Sequence, residues 1–378
     1  MKEMLIDRSI EKNIEKRLFK GKIIVVYGAR QVGKTTLAKK LLKKYSSEKS
    51  YFNCEILLVR QALEKGDPGL IRKFLGDERL IVLDEAQKIK NIGQVLKLLI
   101  DTYPDMQIVA TGSSSFDLAD KVSEPLTGRA LEFVLYPFSL KELAGFYTPF
   151  EIEAQLENFL VYGTYPEIIK HGHADAQVLL DNLSSKYLYK DILIFDRLKK
   201  SELLIKLLQL LALQIGQEFS IQELAINLQC NRDTVINYLD ILEKSFVIFR
   251  LRAYSRNPRK EISKKQKIYF FDLGIRNSLI SRYNDLALRD DVGALWENFC
   301  VAERIKRNQA AEFSCQKYFW RSLQQREIDY VEEYGNSLDG YEFKWTSQKF
   351  TPPIDFMRYP KASAKLVNRA NYAEFLLS

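Results

Sequence analysis

The stretch GARQVGKTT, residues 28–36, limits what this chain can fold into more than any other. It follows KIIVVYG, a continuous apolar run ending in glycine, which reads as a buried strand entering a tight turn. It precedes TLAKKLLKK, an amphipathic helical pattern. Residues 28–35 match GxxxxGK[ST], and strand, loop and helix are the context that this motif requires. The pattern predicts a phosphate cradle made by Gly28, Ala29, Arg30, Gln31, Val32 and Gly33, closed by Thr36 on the helix. Lys34 reaches β and γ oxygens, and the Thr35 hydroxyl ligates magnesium.

A second apolar strand ends in acids in RLIVLDEAQKI. Asp84 is placed to hold magnesium through water and Glu85 to orient and polarise an attacking water. The alternative is an acidic pair that suits the start of a helix. QIVATGSS ends a third strand, where Ser113 is the candidate for sensing the γ-phosphate and an ordinary polar strand end is the other reading. In LTGRALEFVLYPFS, Arg129 is the candidate for stabilising charge on a transferred phosphoryl group, within its own subunit or on a neighbour; a structural salt bridge is the alternative. Strands are expected over residues 22–28, 51–55, 79–85, 107–112 and 130–135, separated by helical patterns. They predict a three-layer α/β domain with a mostly parallel sheet over residues 1–148.

At 378 residues the chain is too long for one ordinary core, so two to four domains are expected. The first twenty residues carry charges throughout and are not a secretory signal. The most apolar stretch, LLIKLLQLLALQIG, is interrupted by Lys206, Gln209 and Gln214, short of the roughly 18 unbroken apolar residues of a spanning helix. No membrane partner and a cytoplasmic location follow as expectations. Cys54, Cys230, Cys300 and Cys315 form no CxxC pair and read as reduced thiols. The only histidines, His171 and His173, read as part of a solvated turn rather than a metal site.

Residues 149–200 read as an acidic helical lid. In 201–267, Ser220 is placed to cap a helix with Ile221, Leu224, Ala225 and Leu228 on one face, and Gln229–Asn231 form a turn. A second helix with Val235, Leu239 and Leu242 inward and the strand-like FVIFRLRAY complete a pattern resembling a winged helix-turn-helix. Arg232 is the only arginine on the reading helix, and Asp233, Asp240 and Glu243 oppose phosphate there. Arg250, Arg252, Arg256, Arg259, Lys260, Lys264, Lys265 and Lys267 form a basic run that would grip a nucleic-acid backbone with little sequence preference. A solvated loop or an acidic protein partner are the alternatives.

Residues 268–378 begin with a helix around Trp296 and Glu297, followed by the strands CQKYFWRS, REIDYVEE and DGYEFKW, the last two joined as a hairpin. Across that hairpin Asp329 and Glu342 are expected to face each other beside Lys344, with Glu297 approaching from the helix. Two carboxylates holding magnesium beside a lysine are the minimum for phosphodiester hydrolysis. Ordinary strand patterning, or a nuclease-like fold kept only for docking, are the alternatives.

With GARQVGKTT, VLDEAQKI, ATGSSS, LTGRA, YGTYPEII, YLYKDIL, KIYFFDLGIRN and LWENFCVAE, the chain resembles AAA+-related P-loop ATPases of bacteria and archaea that carry a C-terminal domain of unknown function. The resemblance spans essentially the whole chain. It implies ATP as the nucleotide, a winged-helix segment, and a terminal restriction-endonuclease-like α/β fold. On its PD-(D/E)xK signature Asp329, Glu342 and Lys344 fall, with Glu297 on the helical acid. The expected activity is a magnesium-dependent ATPase whose nucleotide state controls engagement of nucleic acid. The alternatives are a nucleotide-dependent adaptor for a protein partner and an ATP-regulated nuclease, with an oligomer left open.

Overall fold

The computed structural model describes residues 6–112, 126–172, 174–188, 201–255, 266–346 and 349–377. The chain divides into two compact units. The N-terminal unit comprises Asp7–Pro137 with Lys244–Phe246, and the C-terminal unit comprises Met1–Ile6, Phe138–Glu243 and Val247–Ser378.

The N-terminal unit is built on β1 (Ile23–Tyr27), β2 (Tyr51–Asn53), β3 (Leu80–Asp84), β4 (Gln107–Gly112) and β5 (Ala130–Val134). They form one sheet in the order β2-β3-β4-β1-β5, and every neighbouring pair is parallel. Every residue of β1, β3 and β4 is buried, as a parallel sheet covered on both faces requires, which is why these segments read as unbroken apolar runs. Helix α1 (Lys34–Tyr45) follows β1 directly, and α2 (Ile92–Thr102) lies between β3 and β4 and buries Ile92, Val95, Leu96, Leu99 and Ile100. Those side chains pack with Ile81, Leu83, Ile108 and Ala110 of the sheet. Each such aliphatic side chain contributes about 1.5–3 kcal/mol by leaving water. Because all strands run the same way, the C-terminal ends of β1, β3 and β4 meet at one edge. There β4 lies between the other two, so that Tyr27 pairs with Gly112 and Leu83 with Ala110.

The C-terminal unit begins with helices, of which α3 (Pro149–Tyr162) starts on a capping box: the Thr148 hydroxyl accepts from the Glu151 amide and the Glu151 carboxylate accepts from the Thr148 amide. Helix α4 (Ser201–Leu213) leads to β6 (Glu218–Phe219), then to α5 (Ile221–Asn227) and α6 (Arg232–Lys244). Ser220 caps α5 through the Glu223 amide at 3.1 Å, and Leu224, Ala225, Leu228, Val235, Leu239 and Leu242 are buried, matching the expected helix, turn and helix. Strands β7 (Ile248–Ala253) and β8 (Gln266–Phe270) come next, followed by helices α7 (Leu273–Leu279) and α8 (Val292–Ala310). Strands β9 (Gln316–Arg321), β10 (Glu327–Tyr334), β11 (Ser337–Phe343) and β12 (Ala362–Val367) complete the unit.

A single mixed sheet, ordered β12-β11-β10-β9-β7-β8-β6, gathers the seven strands found among the described residues of this unit. β7 pairs in parallel with β9 and antiparallel with β8, so the segment carrying α5 and α6 shares its sheet with the terminal strands. The boundary expected between residues 267 and 268 therefore falls inside β8. The hairpin β10–β11 forms as expected, with Tyr334 opposite Ser337 and Tyr330 opposite Tyr341. Among the described residues no helix is long and apolar enough to cross a membrane. The four cysteines are all free thiols, Cys54 and Cys300 buried.

Candidate nucleotide site and a second charged cluster

The loop after β1 passes so close to the chain after β5 that only glycine fits at its start. A Cβ on Gly28 would collide with the Leu135 carbonyl, and the residue has φ +156°. Gly33 caps α1 in the left-handed region at φ 99°. Lys34 opens the helix with its side chain folded back into the loop, where Nζ donates to the carbonyls of Gly28 at 3.0 Å and Ala29 at 2.8 Å. Ala29 and Val32 are buried, Arg30 and Thr35 half-buried, and Gln31 and Thr36 exposed. The loop is thus held as an open cradle with its lysine already inside it, which is what a bound phosphate chain needs.

Asp84, at the end of β3, accepts the Thr35 hydroxyl at 2.8 Å and the Tyr51 hydroxyl at 2.5 Å on Oδ2, while Thr111 at the end of β4 donates to Oδ1. The carboxylate lies against the α1 threonine at the edge where β4 separates the ends of β1 and β3. Tyr51 itself is held protonated, its pKa raised by burial and by the Asp84 carboxylate. Burial together with Asp84 and Glu85 pushes the nearby Cys54 thiol up to about 12. Glu85 takes a left-handed backbone at φ 55°. That conformation costs a non-glycine residue about 1–2 kcal/mol and turns the side chain out of the strand direction. Its amide donates to Thr111 Oγ1 at 3.2 Å and its carboxylate accepts from Gln87 Nε2 at 2.5 Å. The donor set of Thr35 and Asp84 fits a magnesium ion bound through hydroxyl and carboxylate oxygens.

Sequence reasoning missed Tyr51 and Arg8, and at the strand end expected over Thr111, Gly112 and Ser113 it preferred Ser113 to Thr111. Arg8 donates through Nη1 to the Val32 carbonyl at 2.8 Å and through Nη2 to the Tyr136 carbonyl, pinning the loop from outside. No local motif announces Tyr51 or Arg8. Ser113 lies outside the described residues.

Arg129 needs correcting as a phosphate-stabilising arginine within its own subunit. It precedes β5, and its carbonyl accepts the Ile23 amide at the start of β1, whereas the phosphate loop leaves the end of β1. The length of a five-residue strand, about 16 Å, separates it from the cradle. Its guanidinium is paired with Asp101 at 2.7 Å, the salt bridge that the sequence offered as the alternative.

The basic run of the C-terminal unit is also thinner than the sequence suggested. Arg232 and Arg252 are exposed. Arg250 is drawn into the unit's own acids, pairing with Asp240 at 2.6 Å and with Glu243. Lys267 is 3% exposed and surrounded by carboxylates, which corrects its assignment to a phosphate-gripping surface. Arg256, Arg259, Lys260, Lys264 and Lys265 lie outside the described residues.

The structure brings Glu297, Asp329, Glu342 and Lys344 together. Asp329 Oδ2 accepts the Phe343 amide at 2.8 Å across the hairpin, and Lys344 Nζ stands 2.8 Å from Glu342 Oε1. Glu297 reaches in from α8 and accepts Tyr269 Oη at 2.7 Å. Gly216, at φ +69°, leaves room for its carboxylate, which a Cβ there would crowd. Burial, reinforced by the Asp329 charge, raises the pKa of Glu297 and of Glu342. Two further members were not expected from the sequence: Lys267 and Glu327, which are ion-paired to each other.

Other motif residues prove structural. Asn298 bonds both ways to the backbone of Phe270 at 2.8 Å, and Asn277 donates to the carbonyls of Leu160 and Val161. YLYKDIL continues past residue 188 outside the described residues. His171 ends a helix, and His173 is likewise outside them.

The parallel sheet in the order above, with a phosphate loop at the end of β1 and acids at the end of β3, defines a P-loop nucleotide-binding domain. Residues 20–144 match the model of the AAA domain. Residues 153–286 and 292–369 match two domains of unknown function. Uncharacterized proteins of Mycobacterium tuberculosis and Mycobacterium bovis are each 30% identical over 356 residues, covering 93% of this chain and 76% of theirs. One of Methanocaldococcus jannaschii is 27% identical over 315 residues, covering 73% of this chain and 65% of its own. The chain belongs to this family of AAA+-related P-loop ATPases with a C-terminal domain of unknown function. Among solved structures, the Aeropyrum pernix ORC1 protein in complex with DNA aligns at a TM-score of 0.34 and 14% identity, covering 74% of this chain and 93% of that one. The Pif1 helicase from Candida albicans aligns at 0.27 and 16%, covering 48% of each chain. Likenesses of that size carry no argument about function.

Proposed function

We propose that the protein is a magnesium-dependent ATPase whose nucleotide state controls engagement of nucleic acid. The observation that carries the ATPase reading is Asp84, held 2.8 Å from the Thr35 hydroxyl beside a loop already occupied by Lys34. Thr35 and Asp84 would hold magnesium, which supplies charge neutralisation for the β and γ oxygens. Lys34 releases two carbonyls to meet phosphate. Glu85, turned out by its left-handed backbone, orients and polarises the attacking water. The nucleic-acid part rests on the helix, turn, helix and strand over α5, α6 and β7, read as a winged helix with Arg232 and Arg252 exposed.

A protein-docking role is the second reading, favoured by one observation. Arg250 and Lys267, two members of the expected basic run, are spent on internal carboxylates and are not offered to a backbone phosphate. On that view the nuclease-like strands of the C-terminal unit hold a protein partner.

ATP turnover by wild type and by Glu85→Gln tests the first part: turnover with magnesium, lost in the variant while nucleotide still binds, is the expected result. A folded preparation that binds ATP without hydrolysing it would leave a nucleotide-binding switch instead. Binding of single- and double-stranded DNA and RNA at low salt, with and without ATP, tests the second part. Protein that holds none of them in any nucleotide state would pass the role to the docking reading.

A further inference from the structure

Lys267 leaves β8 and ends among carboxylates from two other elements. Its Nζ lies 3.0 Å from Glu297 Oε1 and 3.7 Å from Asp329 Oδ1, and is paired with Glu327. Glu297 comes from α8, Glu327 and Asp329 from β10, and the lysine side chain is 3% exposed. A buried ammonium is tolerated only where its donors are met, and lysine has three of them. Here three carboxylates stand around it.

A divalent ion at this place would need the same oxygens as ligands and would meet a fixed positive charge where its partners should be. The remaining groups are committed too. Glu342 Oε1 is paired with Lys344, and Asp329 Oδ2 accepts the Phe343 amide. Glu342 Oε2 is buried without a hydrogen-bond partner, but a single free oxygen is not a metal site. Among the described residues no group of three or more His, Cys, Asp or Glu side chains is arranged to hold a metal ion. The donor set therefore does not fit the magnesium that a PD-(D/E)xK nuclease would carry.

We infer that Lys267 is the resident cation of this cluster, standing among Glu297, Glu327 and Asp329 in place of a metal, so that the C-terminal fold is complete without one. The inference concerns the C-terminal unit alone and holds whether or not the chain hydrolyses ATP. It makes the cluster an ion-paired tie between α8, β8 and β10, with no metal-assisted cleavage of its own.

The test is manganese binding to the full nucleotide-free chain, read as the loss of the free-ion signal in electron paramagnetic resonance. Wild type and Asp329→Asn should bind the same amount, since any ion at Thr35 and Asp84 is common to both. Lys267→Met should bind one additional ion, which the added Asp329→Asn removes. An ion bound by wild type and lost in Asp329→Asn would overturn the inference, as would a folded Lys267→Met that gains none. Should Lys267→Met not fold, thermal unfolding of wild type decides. A Tm that responds to chelator and manganese equally in wild type and in Asp329→Asn, or in neither, supports the resident lysine. A Tm raised by manganese in wild type but not in Asp329→Asn overturns it.

Discussion

The carboxylate of Asp272 occupies the space that a side chain at Gly163 would need. A Cβ built on Gly163 falls against both Asp272 oxygens, and the glycine has φ +71°. The same carboxylate accepts the Thr164 amide at 2.7 Å and caps α7 through the Ile275 amide at 3.1 Å. Two motifs separated by about a hundred residues, YGTYPEII and KIYFFDLGIRN, thus meet at one buried acid, whose pKa is raised by that burial.

Gly163→Ala should therefore destabilise the C-terminal unit by roughly 2–4 kcal/mol, combining the left-handed penalty with the collision. All three tryptophans lie at or beyond residue 296, so their fluorescence during urea unfolding follows this unit without the other. An unchanged midpoint would show that the turn relaxes around the acid.

Thr111→Val removes a hydroxyl that donates to Asp84 and accepts the Glu85 amide. The loss of a hydrogen bond to a charged group, about 1.5–3 kcal/mol, should appear as a fall of about tenfold or more in turnover. Nucleotide affinity should stay near that of wild type, because the bonds of Lys34 to the Gly28 and Ala29 carbonyls do not pass through Thr111. Steady-state kinetics over a magnesium titration separates the two, and a variant with unaltered turnover would remove Thr111 from the site.

Arg8→Ala should act in the opposite way, raising KM with little change in kcat. Its guanidinium ties the Val32 carbonyl of the loop to the Tyr136 carbonyl beyond β5. Losing that tie costs preorganisation that nucleotide must then supply, on the order of five- to tenfold in affinity. Equilibrium binding of a fluorescent ATP analogue checks it, and unaltered affinity would make Arg8 a bystander.

These contacts mark where sequence reading stops. The phosphate loop and its strand were legible because the motif is local and a parallel sheet buried on both faces writes continuous apolar runs, as in KIIVVYG and RLIVLD. The hairpin of β10 and β11 was legible through its turn, and with it the approach of Asp329 to Glu342. Lys267 was not. It stands at the end of a basic run, yet β8 is covered on both faces, and the sheet order that brings Glu297 and Glu327 to it leaves no trace in hydrophobic periodicity. Arg129 failed for a related reason: its place before β5 was read correctly, but in a parallel sheet the start of a strand lies at the edge away from the ligand.

Asp291 is held by two buried guanidinium groups, Arg276 at 2.6 Å and Arg289 at 2.8 Å, whose side chains are 2% and 0% exposed. Burial alone would raise its pKa, but the hydrogen bonds and charges of the arginines outweigh burial and hold it below the ordinary carboxylate range. The folded protein therefore keeps this group ionised at pH values where the unfolded chain, with a pKa of about 3.9, has bound a proton. More protons bound in the unfolded state means stability that is present above that pH and is lost as pH falls below it. Urea midpoints of the C-terminal unit should drop steadily from about pH 5 downward, with a shallower drop in Asp291→Asn. At neutral pH the same variant should be about 3–5 kcal/mol less stable, because Arg276 and Arg289 are left buried without their counter-charge. Equal slopes in variant and wild type would mean that other carboxylates carry the acid sensitivity. A neutral-pH cost near zero would mean that the two arginines find water or Asn277, whose Oδ1 already accepts from both.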